Sequence, residues 1–169
     1  MTDAAREQSF APGGAHHFLA QLAGTWEGTA KTWFEPGVLT DESPISGTIR
    51  SILDGRFVLH EYRGTLMGQL MEGVALHGYD TGTGTWSTAW VDSAHNDTAL
   101  MLSQSADPLA GNAYSVRGSY RDPSGGPPWG WRTEVSLLDA DHLVITHYNV
   151  TPQGDDAKGG EIKYVRQQR

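Results

Sequence analysis

Turn residues recur along this chain at intervals of about one strand length, and that rhythm restricts its possible folds more than any other feature. Runs of alternating apolar and polar residues occupy positions 24–34, 43–53, 56–65, 69–80, 85–92, 98–105, 113–121, 129–138, 142–151 and 161–167, separated by clusters of Gly, Pro, Asp and Ser. The clearest break is Asp80-Thr81-Gly82-Thr83-Gly84. Period-two alternation cut by such turns is the pattern of antiparallel strands joined by hairpins. An all-β, antiparallel up-and-down barrel of about ten strands lets such a set hydrogen-bond without leaving free edges. One helical pattern precedes the strands, at 16–23, where Phe18, Leu19 and Leu22 share a face suited to closing one end of the barrel.

At 169 residues the chain suits a single domain, read as 15–169 behind a flexible N-terminal tail at 1–14. Its 21 glycines and 8 prolines fall mostly between apolar runs, as turns require. A net charge of −8 supplies no basic face for nucleic acid or an anionic membrane. The lack of cysteine excludes disulfides, thiolate metal sites and cysteine nucleophiles. No signal-peptide core or membrane-length apolar run is present, so a cytoplasmic protein is expected. The expected partners are a small hydrophobic or amphipathic molecule and, at most, a second copy of the chain in a homodimer.

Facing pairs in an antiparallel sheet share a side, so parity assigns the interior. A tight turn after Thr65 places Tyr62 near Met71, His60 near Gly73 and Arg56 near His77; a tight turn at Gly82 places Tyr79 near Trp86 and Ala75 near Trp90. One connected surface then carries Arg56, His60, Tyr62, Met71, His77, Tyr79, Trp86 and Trp90, and these are the expected ligand-binding residues. Aromatic, basic and imidazole groups on one wall suit a pocket for an apolar or planar amphipathic ligand. The plainer reading is that the histidines and tyrosines are core residues with satisfied polar tips. Two other functions stay open: proton-transfer chemistry, of isomerase or cyclase type, with His60 or His77 as base and Tyr62 or Tyr79 as acid, and a structural barrel with a filled core.

Several other groupings carry less. His16 and His17 diverge at a helix start and read as surface residues, and no metal site is expected. Asp92, Ser93, His95 and Asp97 crowd one loop. Groups so near in sequence seldom align as nucleophile, base and orienter, so this is read as a solvated turn. Trp129 and Trp131 share a face, either as core or as an aromatic lip. His147 and Tyr148 must point to opposite sides, and the sequence leaves open which is inside.

The residues Leu22-Ala23-Gly24-Thr25-Trp26, Asp54-Gly55-Arg56-Phe57, Tyr62, Gly73, Gly78-Tyr79-Asp80 and Trp90-Val91-Asp92-Ser93 resemble, in order and spacing, the calycin superfamily of lipocalin-like and fatty-acid-binding-protein-like barrels. The closer similarity is to a bacterial calycin-like family catalogued as a domain of unknown function. That resemblance implies that Trp26 packs against a cation near the end of the last strand, Arg166 here or else Lys163. Haem-binding barrels of the nitrobindin type are similar in plan and imply an iron-ligating histidine near the C-terminus. Residues 161–169 contain none, so His147 or a wall histidine would have to substitute, and no cofactor is predicted.

Overall fold

A computed structural model describes residues 3–168. Two short helices, α1 (Asp3–Phe10) and α2 (Ala15–Gln21), precede ten strands: β1 (Gly24–Thr32), β2 (Asp41–Ile52), β3 (Phe57–Leu66), β4 (Gln69–Asp80), β5 (Thr85–Asp92), β6 (Met101–Ser105), β7 (Ala113–Tyr120), β8 (Trp129–Leu137), β9 (His142–Val150) and β10 (Asp156–Arg166). Each strand pairs antiparallel with its neighbours in sequence, and β1 with β10 closes the ring. The expected ten-stranded up-and-down barrel is the fold. β10 begins earlier than the turn residues Gly159 and Gly160 indicate, because the ladder to β9 shifts register between Lys158 and Gly160 and continues beyond them.

The β4–β5 hairpin has the register parity predicts, Tyr79 opposite Trp86 and Ala75 opposite Trp90. The β3–β4 hairpin turns at Met67 and Gly68, both at positive φ (50° and 77°). It pairs Tyr62 with Gly73 and Val58 with His77, two residues away from the expected pairing. A two-residue slip keeps every side chain on its face, so the inward set survives. Arg56 does not: it falls in the turn before β3, exposed, with its guanidinium on the Leu53 carbonyl and Asp54 carboxylate. It belongs to no interior surface.

α2 plugs the end of the barrel where β1 and β5 begin. Phe18, Leu19 and Leu22 are buried, and Phe18 meets Trp86 and Tyr114 edge-on at 6.3 and 5.9 Å. Beneath it Trp86 and Tyr114 stack at 4.2 Å. Arg166 lies 4.1 Å from the ring centre of Trp26, the contact the family resemblance implies, and its guanidinium also donates to carbonyls of Gln21, Ala23 and Ala140. Lid and barrel seam are thereby tied together.

The N-terminal segment departs from the expected loose tail. Residues 3–10 form α1, while 1 and 2 lie outside the described residues. Phe10 stacks on His16 at 4.4 Å, and Ser9 Oγ bonds to His16 Nδ1 at 2.7 Å. His16, expected on the surface, is therefore buried, whereas His17 is bonded to Gln21 on the outside. The segment has too little apolar periodicity to announce a helix; its anchor is the tertiary contact with α2.

Candidate functional site

The interior divides along the barrel axis. Toward α2 it is packed solid, whereas the opposite end opens into a cavity of about 780 Å³. Of the eight residues expected to bind ligand, Tyr62, Met71 and Trp90 line this cavity. The other interior members fill the closed half. His60 shares a hydrogen bond with Tyr164 Oη at 3.2 Å. His77 Nδ1 meets the hydroxyls of Thr88 and Tyr114 at 3.0 and 2.7 Å. Tyr79 packs against Trp86 and His16. Burial lowers the pKa of His60 to about 3, aided by His77 and His147, and burial alone lowers that of His77 to about 4, so both are neutral core imidazoles.

Later strands supply what the sequence reading left undecided. His147 faces the cavity, while Tyr148 lies outside with the Arg132 guanidinium 3.8 Å above its ring. Trp131 lines the cavity as well, which selects the aromatic-lip reading for it. The rings of Trp90, Trp131 and His147 are separated by 5.4, 5.4 and 5.3 Å, with planes within 21° of parallel. Nearly equal separations rule out a linear stack. The three rings make an offset aromatic shelf in the wall, and His147 Nδ1 is held by Thr133 Oγ1 at 3.0 Å.

Beside the shelf runs a polar chain built on Asp92, which the sequence reading placed in a solvated turn. Its side chain is only 1% exposed. Trp90 Nε1 donates to Tyr62 Oη at 2.8 Å, and that hydroxyl donates to Asp92 Oδ2 at 3.2 Å. His95 Nδ1 lies 2.6 Å from the same oxygen, while the backbone N–H groups of Ala94 and His95 donate to Oδ1. Burial pushes the Asp92 carboxyl up, but the hydrogen bond from the His95 side chain, with the backbone donors of His95 and Ala94, outweighs it and holds the pKa below the ordinary range. Burial and the Asp92 charge push the Tyr62 hydroxyl up, keeping it a donor. Tyr62 fits because its partner is Gly73, where a Cβ would lie 2.1 Å from Tyr62 Cζ.

Inward parity along β5 runs Trp86, Thr88, Trp90, Asp92, so one more step of the alternation would have found the carboxylate. The bend that returns His95 onto it has no comparable signal. Two polar atoms of cavity-lining residues, Asn96 Oδ1 and Trp131 Nε1, are buried without a partner. Each such atom costs about 1–3 kcal/mol unless a ligand or water satisfies it. At the mouth, Glu161 is paired with Lys158 and Lys163. Arg121 lines the same rim and has no ion-pair partner among the described residues.

Among the described residues no group of three or more His, Asp or Glu side chains is placed to hold a metal ion. The histidines named as possible iron ligands divide between the two halves of the barrel. His60 and His77 are bonded inside the packed half, and His147 is flanked by two indoles parallel to its ring. No helix among the described residues is long and apolar enough to cross a membrane.

No curated protein matches the sequence. Among solved structures, Rv2717c from M. tuberculosis is similar with a TM-score of 0.63 at 12% identity, covering 94% of this chain and 99% of that one. The S-type phycobiliprotein lyase CPES from Guillardia theta is similar with a TM-score of 0.56 at 10% identity, covering 98% of each. At such identities the likeness is one of fold alone. The model of the family described as "Protein of unknown function (DUF1579)" matches residues 11–166, and the chain belongs to that family.

Proposed function

We propose that this barrel binds a planar, amphipathic small molecule in its open half, with the flat part of the ligand on the Trp90–Trp131–His147 shelf. The observation that carries this reading is the cavity of about 780 Å³ whose wall combines that shelf with the hydrogen-bonded Tyr62, Asp92 and His95. Its size lies in the range of about 300–1,000 Å³ usual for small-molecule sites, and its apolar wall with few fixed polar groups has the usual composition. A filled structural core would have closed this space, as it does in the half beneath α2. The proton-transfer reading based on His60 and His77 is not favoured, since both are engaged with core hydroxyls away from the cavity.

The test compares native and denatured masses of freshly purified protein, followed by titration with 1-anilinonaphthalene-8-sulfonate. Extra native mass, or saturable probe binding weakened about two- to tenfold by Trp131→Ala, is expected, since an aromatic stacking contact contributes about 0.5–1.5 kcal/mol. Absence of retained mass together with binding unchanged in Trp131→Ala would refute the shelf as the binding surface. A haem absorption band in the purified protein would overturn the reading that no cofactor is held.

A further inference from the structure

We infer that His95, oriented by Asp92, is a hydrogen-bond acceptor built to receive the hydroxyl proton of a phenolic or enolic ligand; the inference deepens the binding reading above and rests on it. An ionised carboxylate is an acceptor only, with about four lone-pair sites on its two oxygens. Asp92 meets four donors, two on each oxygen: Ala94 N–H and His95 N–H on Oδ1, Tyr62 Oη–H and His95 Nδ1 on Oδ2. It therefore has no capacity left for a ligand, and its action is on the imidazole. Because Nδ1 faces a carboxylate at 2.6 Å it carries the proton, which in the neutral ring leaves the lone pair on Nε2. That nitrogen has no hydrogen-bond partner among the described residues, and His95 lines the cavity with its side chain 31% exposed.

Position selects the ligand class. The His95 ring lies 5.9 Å from that of Trp90, so the accepting nitrogen borders the aromatic shelf. The indole N–H of Trp90 is already committed to Tyr62, and the Tyr62 hydroxyl proton to Asp92, so neither competes as a donor toward the ligand. Next in sequence, Asn96 donates through Nδ2 to the Trp90 carbonyl and so fixes the loop that carries His95. An oriented, partly exposed acceptor beside a flat aromatic surface fits a hydroxylated planar molecule better than a hydrocarbon or a simple carboxylate. His95 is the contact residue and Asp92 the positioning residue.

The probes are 2-naphthol and its methyl ether, 2-methoxynaphthalene, which share a ring system and differ in the hydroxyl proton. Calorimetric affinities are measured for the wild type, His95→Phe and Asp92→Asn, with the emission of bound 2-naphthol excited to the red of tryptophan. The wild type is expected to bind 2-naphthol at least about tenfold more tightly than the ether, the size of one well-made hydrogen bond to an oriented acceptor. Bound naphthol should also emit in part as naphtholate, because the excited phenol transfers its proton to an adjacent base. His95→Phe, at a partly exposed position, should abolish the preference and the naphtholate emission, with the ether measured on the same variant as the internal reference. Asp92→Asn, by allowing the proton to move to Nε2, should reduce or reverse the preference. Equal wild-type affinities for the two probes, or a preference that persists in His95→Phe, would overturn the role of His95 and leave the binding barrel standing. Binding of neither probe would overturn the barrel reading together with this one.

Discussion

Acidification from pH 6 to pH 5 is expected to cost this fold about 2.5 kcal/mol through His60 and His77, beyond what His147 adds in the same sense. His60 is 2% exposed and His77 5%. Their surroundings lower the pKa values to about 3 and about 4, while an unfolded histidine titrates near 6.5. Between those limits the unfolded chain binds one more proton per histidine than the native chain, so stability rises with pH. Each proton contributes about 1.36 kcal/mol per pH unit, giving a limiting slope near 2.7 for the pair. The contribution is fully present above about pH 7 and is lost progressively as the pH falls toward the folded-state values. The carboxyl of Asp92, whose pKa is depressed, contributes stability that is lost only below about pH 4, outside this window. Urea unfolding at half-unit steps from pH 7 to pH 4.5 measures the slope. His60→Gln and His77→Gln should each remove about 1.4 kcal/mol per pH unit from it, whatever they do to stability at neutral pH. His147, whose pKa burial lowers to about 3, keeps part of the slope when the other two are replaced. A wild-type slope below about 1 kcal/mol per unit, or one that both substitutions together leave unchanged, would refute the assignment of His60 and His77 as neutral core groups.

Two further outcomes follow from single contacts. Gly73→Ala places a methyl where the Tyr62 ring lies, 2.1 Å from Cζ, so Tyr62 must leave Asp92; a loss of about 1–3 kcal/mol in urea unfolding, with weakened probe binding, is expected. Arg166→Ala removes the cation above Trp26, two bonds to carbonyls at the end of α2 and one to Ala140 in the β8–β9 turn. A loss of about 2 kcal/mol is expected, and hydrogen exchange of the α2 amides should speed up more than that of β4; uniform acceleration would show that Arg166 does not tie down the lid.

Much of the site was within reach of the sequence, and the failures have physical causes. Parity put Tyr62, Met71, His77, Trp86 and Trp90 on the inner face, and all are inside. What parity cannot measure is depth along the barrel axis. The pairing of Tyr62 with Gly73 in place of Met71 is a two-residue slip that leaves every face unchanged, so no alternation pattern distinguishes the two registers. Arg56 leaves the wall for another reason: the turn after β2 extends through it, and β3 begins only at Phe57. Asp92 was missed because a carboxylate next to Ser93 and His95 reads locally as a turn, although its place in the β5 alternation points inward.

Strand identity, the succession of hairpins that joins ten strands and the inward face were determined by the sequence alone, since side-chain alternation and turn chemistry act within a few residues of each other. The division of the lumen into a packed and an open half was decided only by tertiary structure. It depends on where α2 lodges Phe18 against Trp86 and Tyr114, residues far from it in the chain. The aromatic shelf arises in the same way: Trp90, Trp131 and His147 come from β5, β8 and β9 and become neighbours only when the sheet closes on itself. Contacts made across a closed barrel have no local period, and so leave no mark in the sequence that a reading along the chain can follow.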